Sequence, residues 1–247
     1  MATEVDEITF IESCLASKKS PELMQAFSQL QKATDLDVPT QNKLSKHLHQ
    51  YLSEDNKTSH IVAALHCLYI FDDKAPFKEA FLRLGKSERQ RIRLAVAMRV
   101  SNFSTWDSVK EESFGDEKII NLAIALTHDG SPSVRDWAVF QFNNRLANDS
   151  TAIRKALHDR VNDTNLAVRQ EAIVALTVRG ETEYYLLIKQ KLNHINVAPV
   201  WIDAASKSSY KPFRADLEKL LLKRQKSALY QDEASVDEIK EAIAALS

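Results

Sequence analysis

The sequence has only four glycines and six prolines in 247 residues, where ordinary usage would give about thirty of the two together. That scarcity excludes several function classes. A phosphate-cradling loop or dinucleotide turn needs several glycines within a few positions, whereas Gly85, Gly115, Gly130 and Gly180 stand far apart. Sandwiches and barrels of short strands need turn residues roughly every 8–12 positions, and this chain does not supply them. Cysteine is scarce too. Cys14 and Cys67 lie inside separate apolar patterns and form no CxxC, so they read as buried, reduced thiols of an intracellular protein. No apolar run approaches the ~18 residues of a membrane span. Met1–Thr9 is acidic without a signal-peptide core, so a cytoplasmic protein is expected. An excess of one charge is also missing: 33 Lys and Arg stand against 34 Asp and Glu, a net charge of −1. No whole-protein field therefore favours nucleic acid or an anionic membrane.

What the chain does have is helical period. The glycines sit at the edges of apolar-periodic segments and the prolines precede or open them, as helix stops and starts do. About fourteen helices are expected with short joints. Leu44, Leu48 and Leu52 recur at every fourth position, and Ile61, Val62, Leu65, Leu68 and Ile70 fill Ser59–Phe71 more densely. One apolar stripe per helix means helices packed on neighbours. The looser stretch Ser101–Ser113 reads as holding a short helix near Trp106, and Ser235 with Glu238 reads as a capping box opening the last helix, Ser235–Leu246. No linker is long or rich in Gly and Ser.

The middle of the chain repeats itself. Asp129-Gly-Ser-Pro-Ser-Val134-Arg135-Asp-Trp-Ala138 aligns with Asp163-Thr-Asn-Leu-Ala-Val168-Arg169-Gln-Glu-Ala172, 34 residues on. Phe142 or Leu176 follows eight residues beyond each valine, and Ile92-Arg93 with Val96 and Val100 fits an earlier copy at an interval of 42. Helix pairs at such periods build α-solenoids. Val134-Arg-Asp-Trp-Ala138, Val168-Arg-Gln-Glu-Ala-Ile-Val-Ala-Leu176 and Ile92-Arg-Leu-Ala-Val-Ala97 resemble the bacterial HEAT-like repeats first described in phycobilin lyases. The resemblance is clear over residues 92–192, faint on either side, and absent from the first 57 residues. Phe140-Gln-Phe142 is bulkier than the family's usual small residues there. The resemblance implies an all-α superhelix of antiparallel helix pairs whose inner helices line a groove. On this reading residues 1–57 form a helical N-terminal cap, and residues 58–247 form one continuous array.

Within the repeats, Val134, Ala138 and Phe142, like Val168, Ala172 and Leu176, are read as packing layers. Asp129 and Asp163 are read as carboxylates in the turns before their helices that accept backbone N–H groups and meet the helix dipole, and Arg135 and Arg169 as pairing with those aspartates in a ladder between repeats. Repetition itself argues against catalysis. Metal ligation finds no spacing: His47 and His49 point to opposite sides of a helix, His60 and His66 do not share a face, and no His-Glu dipeptide occurs. No activated thiol and no G-x-S-x-G elbow is present. Neither a cofactor nor a metal is expected.

Two surface readings remain. Arg83, Lys86, Arg89, Arg91, Arg93 and Arg99 stand against the single acid Glu88, a basic patch of the sort that HEAT-like DNA glycosylases use on duplex DNA, although Arg91 and Arg93 straddle the helix. Trp137 and Trp201 read as core. Arg154 and His158 share a polar stripe and, with Lys118, Asn121, Tyr184 and Lys189 on neighbouring inner helices, form the candidate groove-lining set for a protein partner. The expected function is a non-catalytic interaction scaffold binding a partner along its concave face. The alternatives are a DNA-binding or repair protein of the HEAT-like glycosylase type, and a bilin lyase-like protein.

Overall fold

A computed structural model of the chain describes residues 4–17, 20–33, 36–107, 112–208, 210–227 and 233–246. Helix starts follow the capping chemistry of the sequence. Asp37 opens α3 (Val38–His49) by accepting the Thr40 amide at 2.8 Å, with Pro39 in the first turn. Asp116 opens α7 (Glu117–Thr127), Ser150 opens α9 (Thr151–His158) and Asn165 opens α10 (Leu166–Val178), each through its side-chain oxygen. Each cap supplies an acceptor for an amide that has no partner inside the helix.

By packing, the chain divides into two compact units, residues 1–141 and 142–247. In the first, α1 (Glu4–Ser17) and α2 (Ser20–Leu30) precede α3. There follow α4 (Thr58–His66), α5 (Lys78–Leu84) and α6 (Gln90–Arg99), then α7 and the start of α8 (Pro132–Asn144). Alternate helices lie side by side, α2 on α4 and α4 on α6, α1 on α3 and α5 on α7. Consecutive helices close the layers, and fully buried Leu23, Phe27, Leu44, Leu48, Ile61, Leu65, Phe77, Phe81, Ile92 and Val96 fill the space between. The second unit repeats the plan. α9 packs on α10, α10 on α12 (Pro199–Lys207), and α12 on α14 (Glu233–Ala245); α11 (Tyr185–Leu192) lies beside α13 (Phe213–Gln225). Its core runs from Val174 through Ile188, Leu192, Trp201, Ile202 and Phe213 to Leu217, Leu220 and Ile239. Tyr185, Tyr210 and Phe213 add a three-ring cluster with centroids 4.4–5.4 Å apart, within the range of favourable aromatic pairs.

Two of the scarce glycines are required by geometry. A Cβ on Gly85, at the end of α5, would stand 2.5 Å from Leu122 of α7, so glycine sets how closely these two helices approach. Gly180 has φ +84°, a left-handed turn after α10 that reverses the chain toward α11.

The structure corrects the sequence at two elements. Trp106 lies in a strand rather than a helix; the short 3-10 helix of this stretch is Val100–Phe103, just before it. Ser104–Asp107 (β1) and Glu112–Gly115 (β2) are strands, paired antiparallel with Ser104 opposite Gly115 and Asp107 opposite Glu112. Thr105, Trp106 and Phe114 are β-formers without a helical stripe, and this hairpin takes up the extra length of the 42-residue interval. α14 starts at Glu233, so Ser235 lies inside the helix rather than at its cap. A smaller difference concerns α4, which stops at His66 and is followed by a single 3-10 turn, Leu68–Ile70, instead of running on to Phe71.

Candidate functional site

The repeat motif is a backbone clamp. Arg135 Nη1 donates to the carbonyls of Asp129 and Gly130 at 2.9 and 3.3 Å, and Arg169 Nη1 donates to those of Asp163 and Thr164 at 2.5 and 3.2 Å. Arg93 does the same to Ser87 and Glu88 at 2.8 and 3.1 Å. In each copy the first residue of the turn accepts the amide two positions on: Ser87 from Arg89, Asp129 from Ser131, Asp163 from Asn165. The arginine six residues later thus closes the turn that its own helix grows from.

Arg135 and Arg169 bind carbonyls of their own turns, and the Asp129 carboxylate is gripped by Arg93 of the preceding copy, Nε at 2.6 Å and Nη2 at 3.1 Å. Burial pushes the Asp129 carboxyl up, but the Arg93 and Ser131 hydrogen bonds and the charges of Arg93 and Arg135 outweigh it and hold it below the usual carboxylate range. Asp163, nearly fully buried, accepts from Arg160 at 3.2 Å.

The basic cluster is largely spent on the fold. Arg83 donates to the carbonyl of Leu52; Arg89 donates to the carbonyls of Glu54 and Asn56 and pairs with the Glu54 carboxylate. Arg93 is used as described, and Arg99 donates to His66 at 3.1 Å. Lys86 and Arg91 are exposed and without an ion pair among the described residues.

The groove-lining set divides between the units. Lys118 and Asn121 stand exposed on α7, Lys118 paired with Glu79 of α5 at 3.0 Å. In the second unit Arg154 is held by Asp149 at 2.6 Å, by Glu181 at 2.7 Å and by the Arg179 carbonyl at 2.7 Å. The two carboxylates keep its guanidinium well above its ordinary pKa. His158 lies 3.7 Å from Glu183 and 3.3 Å from the Tyr184 hydroxyl. Burial, then Glu183 and Glu181, push that phenol up. Arg154, His158 and Tyr184 therefore tie α9 to the turn before α11. Lys189 is exposed on α11. Beside them Arg179 is pulled down to about 10 by burial; it binds the carbonyls of Ala175, Leu146 and Asn148. Trp201 is buried in α12, whereas Trp137 is half-buried against Phe140. Both cysteines are buried, and burial pushes the Cys67 thiol up to about 12. No group of three or more His, Cys, Asp and Glu side chains placed for a metal occurs among the described residues.

A different place on the second unit is open. Between α12 and α14 lies a cleft of about 270 Å³, lined by Asp203, Ser206, Glu238 and Glu241 together with Ile202, Ala242 and Ala245. Asp203 pairs with Lys207 at 2.8 Å. Glu238 and Glu241 have no ion pair among the described residues. Burial raises the Glu238 carboxyl above the usual range and the charges of Asp203 and Glu241 raise it further, against a lowering by Arg224. Sequence reading passed over this cleft although a signal was there. Glu238, Glu241, Ala242 and Ala245 recur at helical spacing, an acidic stripe with small residues at its centre, but nothing in the sequence says that Asp203 faces it.

No protein-family model matches the chain, and no curated protein matches it. Among solved structures, Escherichia coli YibA superimposes with a TM-score of 0.64 at 19% identity, covering 98% of this chain and 81% of that one. A computationally designed armadillo repeat protein for modular peptide recognition gives 0.43 at 16% identity, covering 96% and 98%. No helix of the described residues is long and apolar enough to cross a membrane. With fourteen α-helices among the described residues packed in pairs, the chain has an all-α repeat fold like that of YibA.

Proposed function

We propose that the protein is a non-catalytic interaction scaffold whose second unit captures a cationic segment of a protein partner in the cleft between α12 and α14. The observation that carries this reading is the cleft's composition: two carboxylates without ion pairs among the described residues share its lining with apolar Ile202, Ala242 and Ala245. A lysine or arginine side chain fits that arrangement in two parts. Its methylene stem lies on the apolar side chains, and its charged head meets Glu238 and Glu241. Glu238 also resists ionisation in the unliganded protein, and an incoming cation removes that cost. Helical-repeat surfaces bind extended partners through such distributed contacts and need no cofactor.

Titration with a fluorescent peptide of alternating arginine and alanine tests the proposal. Binding is expected to weaken with salt and to fall about tenfold or more in the double substitution Glu238→Gln/Glu241→Gln, with the melting temperature retained. Binding that is absent, or indifferent to the double substitution, overturns the assignment.

A further inference from the structure

In the first unit, a chain of contacts joins three helices through groups that the binding cleft does not use. The Arg99 Nε–H, at the end of α6, donates to His66 Nδ1 at 3.1 Å. Its guanidinium also lies over the Tyr69 ring, 5.9 Å from the centroid. The Tyr69 hydroxyl donates to the Gln31 carbonyl at the end of α2. His66 is the last residue of α4, Tyr69 lies in the 3-10 turn that follows, and the Cys67 thiol between them reaches the Phe27 carbonyl of α2 at 3.7 Å. The short segment 66–70 is therefore held to α6 on one side and to α2 on the other.

The first of these contacts works in only one protonation state. A neutral imidazole with its proton on Nε2 offers Nδ1 as an acceptor; an imidazolium has a proton on both nitrogens and offers none. Arginine keeps its charge throughout, so protonation would set two cations in contact distance and leave the guanidinium without an acceptor. Of the elements packed against α4, α6 contributes Arg99, the 3-10 turn contributes Tyr69, and α2 contributes no charge that acts on His66; Lys57, before α4, acts on His60 instead. Among the described residues no carboxylate acts on His66.

We propose that His66, Arg99 and Tyr69 form an acid-released latch, closed while the imidazole is neutral and opened by its protonation, which frees the joint of α4 and α6 with the end of α2. Burial, then Arg99, lower the His66 pKa below the ordinary imidazole value. The latch thus stays closed at neutral pH and opens only below about pH 6.5.

Amide exchange corrected for its intrinsic pH dependence tests this. Amides of residues 66–71 and 99–103 are expected to exchange about tenfold faster below the His66 titration midpoint than at about pH 7.5, with those of α10 and α12 unchanged as internal controls. In His66→Asn, whose amide oxygen replaces the Nδ1 acceptor and does not titrate, the acceleration should vanish. Acceleration that persists in His66→Asn, or is missing from the natural protein while its imidazole titrates, overturns the latch. Should His66→Asn fail to fold, Arg99→Leu decides: the His66 midpoint must rise, and an unmoved midpoint overturns the proposal equally.

Discussion

Arg93 uses one guanidinium twice. One nitrogen closes the turn at Ser87 and Glu88, and the other two grip Asp129 of the following copy. Both partners of that grip are shielded, the side chains being 21% and 7% exposed, so solvent screens the pair less than a surface ion pair. Double-mutant analysis with Arg93→Gln and Asp129→Asn is expected to give a coupling of about 2 kcal/mol at neutral pH, read from urea midpoints. Because the Asp129 pKa is lowered by folding, its contribution is complete above the unfolded aspartate value of about 3.9 and is lost as pH falls through the folded value. A coupling that is unchanged in strong acid would contradict this. Several arginines singled out in the sequence resolve the same way: Arg83, Arg89 and Arg154 each donate to a backbone carbonyl. Composition shows such residues as charge; only the folded chain shows them as hydrogen-bond donors to particular carbonyls.

Between elements, Gly85 sets the spacing of α5 and α7. Gly85→Ala forces its new methyl against Leu122, and about 1–2 kcal/mol of stability should be lost. Leu122→Ala leaves a cavity and is destabilising alone, but combined with Gly85→Ala it removes the clash. The pair should therefore cost at least about 1 kcal/mol less than the sum of the single changes; strict additivity in chemical denaturation would refute the contact. Legibility also differs by element. The stripes of α3, α4 and α10 were readable because helical period is local, whereas the caps Asp37, Asp116 and Asn165 were not singled out in the sequence. The hairpin was not readable, since Ser104–Asp107 and Glu112–Gly115 are short and gain their strand geometry only from each other. The cleft was half readable: the stripe on α14 is local, but its partners Asp203 and Ser206 lie three dozen residues earlier on α12.

At the scale of the whole molecule, charge is balanced and the basic cluster is mostly engaged. Lys86 and Arg91 are what it leaves exposed without an ion pair among the described residues. If the chain is retained on immobilised duplex DNA, the salt dependence should be shallow, with a logarithmic slope no steeper than about −2, one counterion for each of the two cations. A slope several times steeper would show that cations beyond these two are recruited, and would revive the nucleic-acid reading. Distribution of work is the larger lesson: cations hold turns shut, while the open cleft on the second unit is lined with acids.

The grip of Arg93 on Asp129 also bears on how such a chain can lengthen. At this junction the acceptor heads one module and the donor stands six residues inside the module before it, the offset at which Arg135 and Arg169 also stand in theirs. A tandem duplication copies the two halves together, and each new junction is born with its counterpart in place. Copy number can then change by whole modules without a second, compensating mutation. A substitution at either position, by contrast, is inherited by every later copy.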